Sequence, residues 1–300
     1  MNKFPHLKAI LLALLVTFLW STSFVIIKLG LDELPPLTFA GLRYVIAFFV
    51  LFPFIFRRVY IQEIKNLDKK TWYKLIWLGI IFYTFTQGTQ FIGLSLLPAV
   101  TVSLMLNFTP LVVAVMGIFI LSEKPTSLQW IGAGMFILGI VIYFYPVVFS
   151  DNQALGLVVM AIGIVANALA AVIGRDINRS GKHSPLVITV ISMGIGAFIL
   201  LIAGIAFQGL PGVSFINTLY LLWLAVINTA FAFTIWNLTL RTLTAMESSI
   251  INGTMLIQIA ILAWIFIDEP ISLQEGAGML AAGCGAVLVQ IRKKKLLTRE

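Results

Sequence analysis

Long apolar runs dominate the chain, and short stretches rich in charge, proline and glycine separate them. A helix that crosses a lipid bilayer needs about 20 mainly apolar residues. Ten stretches satisfy that requirement, with ends defined to within a few residues. They are residues 8–30, 36–56, 73–96, 98–121, 127–148, 153–174, 184–208, 214–239, 245–267 and 272–291. The pattern predicts an all-α polytopic membrane protein with ten transmembrane helices.

The first apolar run also resembles a secretory signal peptide, because Lys3 and Lys8 give it a basic start. It continues well past Trp20, lacks a small-residue cleavage site and precedes nine more apolar runs. We therefore interpret it as a retained first helix.

Composition agrees with a chain that is solvated mainly by lipid. Sixty per cent of the 300 residues are hydrophobic and only 11% are charged, with a mean hydropathy of +1.03. Such a chain has too few charges to cover the surface of a water-soluble domain. The single cysteine, Cys284, lies in an apolar run, and His6 and His183 fall in predicted loops. The sequence therefore predicts no disulfide, no metal site and no cofactor.

Lysines and arginines test the number of helices. In membrane proteins these residues collect in cytoplasmic loops. If the N-terminus is cytoplasmic and the loops alternate between sides, all but two of the 20 basic residues fall on the cytoplasmic side. The exceptions, Lys28 and Arg43, lie within the first two spans. The net charge of +8 is thus attributed to membrane topology rather than to nucleic-acid binding. We predict a multi-pass protein of the cytoplasmic membrane with both termini in the cytoplasm.

The two halves of the chain resemble each other, although chance similarity between apolar helices is an alternative explanation. A shift of 146 positions aligns Glu123 with Glu269, Gly132 with Gly278 and Gly139 with Gly285, and one further position aligns Lys28 with Arg175. We therefore divide the chain into repeats at 1–150 and 151–300, the second with a basic cytoplasmic tail. Each repeat has five spans, so the second must enter the membrane with the opposite orientation. Inverted repeats of this kind are typical of secondary transporters, with a substrate site between the halves.

Three segments resemble the EamA-type branch of the drug/metabolite transporter superfamily: WSTSFVIIKLGL, PPLTFAGLRY and the long run from SLLPAV to FILG. The residues that match the pattern of this family are Trp20, Lys28, Pro36, Arg43, Glu123 and Gly132. The resemblance implies ten helices around a central cavity and transport of small metabolites. Leu256 stands at the repeat position of Pro110, where many relatives have proline, which leaves open whether the ninth helix bends like the fourth.

Polar and aromatic side chains within the spans are candidates to line that cavity, because polar groups are disfavoured against lipid. Tyr83, Gln87 and Gln90 share one face of the third helix by their spacing. Pro110 frees a backbone carbonyl that could face the cavity. The alternatives are interhelical hydrogen bonds and ordinary packing. The candidates for the cavity are Trp20, Ser23, Phe24, Arg43, Tyr83, Gln87, Gln90, Asn107, Asn167, Trp236, Asn237 and Asn252.

Charged residues near the helix ends could either form ion pairs and caps within the protein or contact the substrate. Lys28 could pair with Asp32 one turn later or attract an anionic substrate. Arg43 lies deeper in its helix and could do either of the same two things. Glu123 and Glu269 are expected to cap or pair at the interface rather than to touch substrate.

These features favour a secondary transporter that moves small metabolites by alternating access. The aromatic, amide-rich interior and the family resemblance make amino acids or related amphipathic compounds the expected substrates, with export as the expected direction. The expected partners are that substrate and the lipid bilayer, with no nucleic acid. No Gly-rich phosphate loop is present, so direct use of ATP is not expected.

Two other classes of protein are alternatives to a transporter: a membrane-embedded enzyme and a channel. A membrane-embedded enzyme needs a nucleophile with a base or a metal cluster, and no His–Glu–x–x–His or Gly–x–Ser–x–Gly motif occurs. A channel would favour a repeated selectivity element over scattered amides. No acidic residue falls at a predicted midplane, so the coupling ion stays open, as does the oligomeric state.

Overall fold

A computed structural model describes residues 6–121, 126–146, 150–179, 182–239, 242–243 and 251–290, and these residues form helices and turns without a β-strand. The helices of the first half are α1 (His6–Gly30), α2 (Pro36–Leu51, followed by a 3₁₀ turn at Phe52–Phe56), α3 (Arg58–Lys65), α4 (Lys69–Leu96), α5 (Ala99–Leu106), α6 (Thr109–Leu121) and α7 (Ser127–Phe144). Those of the second half are α8 (Asp151–Arg179), α9 (Pro185–Gln208), α10 (Phe215–Ala225, Val226–Phe231 and Ala232–Thr239), α11 (Met255–Ile267) and α12 (Leu273–Gln290).

Seven of these helices are long and apolar enough to cross a membrane. They coincide with the predicted spans 1, 2, 3, 5, 6, 7 and 8. The other three predicted spans coincide with shorter apolar helices, at Ala99–Val113, Ile251–Ile267 and Leu273–Val289. The chain is therefore an all-helical polytopic membrane protein, and ten crossings remain a prediction.

Local sequence explains where several helices begin. Pro36 occupies the first turn of α2, where its missing N–H is not needed. Thr126 and Gln129 form a capping box at the start of α7. Asp68 caps α4 by accepting a hydrogen bond from the backbone of Thr71, and this lowers the pKa of its carboxyl group. These caps satisfy N–H groups that have no partner within their own helix.

Helices α7 and α12 pack closely against each other, with glycines at the points of contact. A Cβ on Gly132 would lie 2.9 Å from the carbonyl oxygen of Gly285, and one on Gly139 would lie 2.6 Å from that of Gly278. The residue numbers rise along one helix as they fall along the other, so the two helices run antiparallel. Small residues permit this approach of backbones.

Helix α9 packs in the same manner against α2 and α4. A Cβ on Gly41 would lie 2.7 Å from the backbone nitrogen of Leu201, and one on Gly204 would lie 2.6 Å from that of Thr38. On α4, the hydroxyl of Thr84 donates to the carbonyl of Gly196 at 2.9 Å. Backbone contact between helices therefore fixes the frame on which the interior side chains are placed.

Helices α4 and α10 each contain a π-helical segment, Gly79–Thr86 and Val226–Phe231. In each, a threonine hydroxyl donates to the carbonyl five residues earlier: Thr86 to Ile81 at 3.0 Å, and Thr229 to Leu224 at 2.8 Å. These bonds satisfy carbonyls in the widened turn. Such segments are rare and often occur at functional sites.

Interactions between loops divide the molecule into two ends. At one end, which we call the Lys28 end, Glu269 contacts both Lys28 and Ala99, and Glu33 accepts a hydrogen bond from Asn217. At the opposite end, the carboxylate of Glu63 accepts a hydrogen bond from the backbone nitrogen of Ser184 at 2.6 Å. The loops predicted to lie outside thus meet at the Lys28 end, and the side of the membrane that this end faces remains a prediction.

The glycine contacts generate a prediction about stability. Gly139→Ala places a methyl group 2.9 Å from Cα of Ala282, where only backbone could yield. We expect a loss of about 1–3 kcal/mol, typical of overpacking, measured as a lower melting temperature in detergent. Gly134→Ala is the matched control on the same helix, because its added Cβ would have no neighbour within 4 Å. Equal melting temperatures for both variants would show that the close approach does not stabilise the protein.

Candidate functional site

A central cavity of about 380 Å³ lies between helices of both halves of the chain. This volume is within the usual range for small-molecule sites, about 300–1,000 Å³. Ten of the residues singled out from the sequence line it: Trp20, Ser23, Phe24, Arg43, Gln87, Gln90, Asn107, Pro110, Asn167 and Asn252. The lining residues that the sequence did not single out are Tyr44, Phe82, Ser103, Leu106, Thr109, Phe233, Gly253, Met255, Ile259, Gly283, Ala286 and Val287.

Aromatic side chains line the cavity, and we call four of them, Trp20, Phe24, Phe82 and Phe233, the aromatic wall. The indole of Trp20 packs against Phe233 with ring centroids 5.3 Å apart, and its Nε1 donates to the carbonyl of Asn228 at 3.1 Å. The expected cavity role of Trp236 is not found. Trp236 packs against Trp20 at 5.2 Å and does not line the cavity, so it supports the wall from behind.

Asn228 joins α1 to α10 behind this wall. Its side-chain nitrogen, with two N–H donors, lies within hydrogen-bonding distance of three acceptors: the carbonyl of Leu19 at 2.6 Å, the hydroxyl of Thr22 at 3.0 Å and that of Ser23 at 2.8 Å. The side chain is fully buried. Asn228 thus has the interhelical role that was the alternative for every polar residue in the spans.

Arg43 reaches the cavity from α2 and is only 4% exposed. Its Nε donates to the hydroxyl of Thr229 at 3.0 Å, in the π-helical segment of α10. Its guanidinium carbon lies 5.2 Å from the ring centre of Tyr44 and 6.0 Å from that of Phe91, which is cation–π geometry. Among the described residues that line the cavity, Arg43 is the one with a formal charge.

Gln87 is held in place by Tyr44. The Tyr44 hydroxyl donates to Oε1 of Gln87 at 2.6 Å, which leaves the Gln87 side-chain nitrogen as a donor. Tyr83, expected on the same lining stripe, is corrected to a packing residue. Its ring meets that of Tyr44 edge-on at 5.5 Å, so Tyr44 occupies the cavity surface and covers it.

The remaining amide side chains on the cavity differ in whether they hydrogen-bond to other residues of the protein. Asn107 donates to the carbonyl of Ser103 at 2.9 Å, and Asn167 donates to the hydroxyl of Thr109 at 3.1 Å. Gln90 and Asn252 line the cavity without a side-chain hydrogen bond to another residue in the described part of the chain, and so are available to a ligand. The side chain of Asn237 lies outside the described residues.

The predicted fourth helix is interrupted at Asn107 and Phe108, just before Pro110, where α5 ends and α6 begins. The bend of the ninth helix, left open by the sequence, also has an answer. The helical run from Ile251 is interrupted at Thr254, although Leu256 stands at the repeat position of Pro110. A second proline is therefore not needed for this break.

Lys28 does not pair with Asp32, which is a correction to the local reading of the sequence. Its Nζ lies 3.2 Å from Oε1 of Glu269, in a salt bridge whose two side chains are 25% and 18% exposed. The other carboxylate oxygen of Glu269 accepts from the backbone nitrogen of Ala99 at 2.7 Å. Glu269 therefore both pairs and caps, as expected, and Lys28 is charge-compensated outside the cavity lining. Glu123 lies outside the described residues.

Two further features mark the Lys28 end. A second cavity, of about 480 Å³, is bordered by Tyr143, Glu269 and Glu275. Hydrogen bonds from Ser214 and Asn217 lower the pKa of Glu33. Glu33 thus keeps its charge as the pH falls, and its contribution to this contact is lost only below its lowered pKa.

A cavity lined by apolar helices from both halves lies within this polytopic membrane protein. The sequence pattern of the EamA-like transporter family matches this chain twice, at residues 7–145 and at residues 154–291. The chain therefore belongs to the EamA-like transporter family.

Several known proteins are similar along most of the chain. The uncharacterized transporter YvbV of Bacillus subtilis is 25% identical, over 98% of this chain and 95% of its own length. An S-adenosylmethionine/S-adenosylhomocysteine transporter of Chlamydia trachomatis serovar L2 is 25% identical, over 97% of this chain and 93% of its own length. A probable amino-acid metabolite efflux pump of Salmonella typhimurium is 26% identical, over 75% of each chain.

A solved structure, titled only as the crystal structure of a protein, has a TM-score of 0.68 at 18% sequence identity. It covers 94% of this chain and 97% of its own. At this level of identity the likeness shows a shared fold. The three relatives described above are all named as transporters or efflux pumps.

The salt bridge at the Lys28 end generates a second prediction. Lys28→Gln and Glu269→Gln should each lower the melting temperature. The double variant should melt no lower than the less stable of the two single variants, because either change alone already removes the salt bridge. We expect a coupling of about 1 kcal/mol, lost at high salt.

The exposed pair of Lys74 and Asp176 serves as the control, since its side chains are 33% and 61% exposed and should couple more weakly. Strictly additive losses at Lys28 and Glu269 would mean that the bridge contributes no coupling energy.

Proposed function

We propose that the protein is a secondary transporter that exports small metabolites, most simply amino acids or related amphipathic compounds, across the cytoplasmic membrane by alternating access. The central cavity carries this proposal: it is lined from both halves of the chain by aromatic, amide and hydroxyl groups, in a protein of a transporter family. The direct partners are the small-molecule substrate and the bilayer.

We further propose that residues 1–150 and 151–300 are inverted five-helix repeats. The family description matches each half once. Gly132 and Gly139 are related to Gly278 and Gly285 by the same shift of 146, yet the helices that carry them pack antiparallel. Opposite directions for equivalent helices are what inversion requires. The π-helical segments of α4 and α10 and the two helix breaks recur at similar repeat positions, which adds support.

The alternating-access part of the proposal rests on the difference between the two ends. At the Lys28 end, Glu269 from the second half joins Lys28 and Ala99 of the first half. The lining of the central cavity extends instead toward the opposite end, through Asn252 and Val287. With both termini in the cytoplasm, this arrangement corresponds to a state closed to the outside. Opening toward the outside then requires the contacts of Glu269 to separate.

Names of relatives and the cavity lining guide the choice of substrate. Related proteins are named for S-adenosylmethionine and for amino-acid metabolites, which combine polar groups with an apolar or aromatic part. The cavity offers the matching surfaces, an aromatic wall and several amides. This supports amphipathic metabolites over simple ions or sugars.

The proposed topology is tested by labelling of single cysteines in a Cys284→Ala background. Asn66→Cys should resist an impermeant thiol reagent in intact cells, and Gly212→Cys should react, because we assign their loops to opposite sides. Both positions are exposed. The reverse labelling pattern would overturn the orientation, and labelling of both from outside would overturn the number of crossings between them.

The cavity assignment is tested by transport in vesicles with a panel of amino acids and aromatic metabolites. Gln90→Ala should reduce flux of a transported compound by about threefold to tenfold, the effect of one lost hydrogen bond. Membrane abundance should not change. Gln62→Ala is the matched control, because Gln62 is exposed on α3, away from the cavity. Unchanged flux in the Gln90 variant would remove this residue from the substrate path.

A further inference from the structure

We infer that the cavity selects substrates that carry a carboxylate, and that Arg43 and Gln87 form the group of donors that receives it. An apolar ring or chain of the same substrate would lie against the aromatic wall. This inference rests on the proposed function, because it names the substrate class of the same cavity. It also gives different roles to Lys28 and Arg43, the two cations within the spans.

The first argument is the unbalanced charge of Arg43. A guanidinium has five N–H donors, and one of these is used by Thr229. No carboxylate and no second acceptor for Arg43 is found in the described part of the chain, although the side chain is only 4% exposed. A buried charge without a partner is costly. Because Arg43 borders the cavity, the missing acceptor has to come from what the cavity contains.

The second argument is the orientation of Gln87. Its oxygen is occupied by the Tyr44 hydroxyl, so its amide nitrogen is left as the donor. Tyr44 also lies beside the guanidinium of Arg43, with 5.2 Å between the guanidinium carbon and the ring centre. One ring therefore supports both donor groups. Each is held by a second residue, which fixes its direction before a ligand arrives.

The third argument is the distribution of the other charges. Lys28, the second cation within the spans, is neutralised by Glu269 and does not border the central cavity. No acidic residue occurs among the described residues that line it. An anion thus finds an uncompensated cation, whereas a cationic group finds only amide oxygens and aromatic faces. We expect affinity to fall from anion to zwitterion to cation.

Three probes with the same ring test this order: 3-phenyllactate as the anion, L-phenylalanine as the zwitterion and 2-phenylethylamine as the cation. Equilibrium binding to the purified full-length protein in detergent is the measurement. The native protein should bind 3-phenyllactate most tightly. Arg43→Gln should weaken 3-phenyllactate by roughly tenfold or more, and change 2-phenylethylamine by less than about twofold.

Arg43→Lys keeps the charge but loses the planar fork, so it should retain the preference for the anion at reduced affinity. Arg58→Gln is the matched control, because it removes an exposed arginine that does not border the cavity. Gln87→Glu offers a second route should the Arg43→Gln variant fail to fold. A carboxylate at position 87 would compete for the guanidinium, weaken 3-phenyllactate by roughly tenfold or more and strengthen 2-phenylethylamine.

The inference is overturned if the native protein binds none of the probes, binds all three equally, or loses all three equally in Arg43→Gln. Flux of the same probes in proteoliposomes separates this outcome from failure of the proposed function. Charge-selective binding without flux would refute transport and keep the carboxylate site. Flux that does not depend on Arg43 would refute the carboxylate site and keep transport.

Discussion

A lipid bilayer offers no hydrogen-bonding partner to polar groups in its interior, and the helices of this protein are arranged under that constraint. Hydroxyl groups in the spans mostly bond back to their own helix. Thr17 donates to the carbonyl of Leu14, and Ser192 donates to that of Ile188. Amides cannot be satisfied so simply, because each carries two donors and an acceptor. They are placed either between helices, as Asn228 is, or along the central cavity.

The sequence could predict the helices and ten of the lining residues because both depend on local features. A long apolar run is visible without knowledge of its neighbours, and a glutamine such as Gln90 within one must face the interior. Pairing across the molecule is different. Sequence spacing placed Asp32 one turn from Lys28, yet the helix packing brings Glu269 to it from the other half of the chain. A local carboxylate in water competes poorly with one that is held by Ala99.

The sequence also could not predict how deep each aromatic side chain lies within the interior. Trp20 and Trp236 are both tryptophans within apolar spans, but only Trp20 borders the cavity. In the same way, Tyr44 covers Tyr83, and nothing in either side chain indicates which would be in front. Such ordering follows from the angles and separations of packed helices, which are set by glycine contacts distant in sequence. Hydropathy identifies the residues of the interior without ordering them into layers.

Thr229 gives the widened turn of α10 a thermodynamic role. Its hydroxyl donates to the carbonyl of Leu224, which the π-helical segment requires, and accepts from Arg43. The shape of the helix and the direction of the guanidinium are thereby linked, so a change in either alters the free energy of the other. By reciprocity, a ligand that binds Arg43 more tightly in one shape of α10 shifts the population toward that shape by the ratio of its two affinities. The fraction of molecules with an occupied cavity and the fraction with each shape of α10 are then set by the same equilibrium.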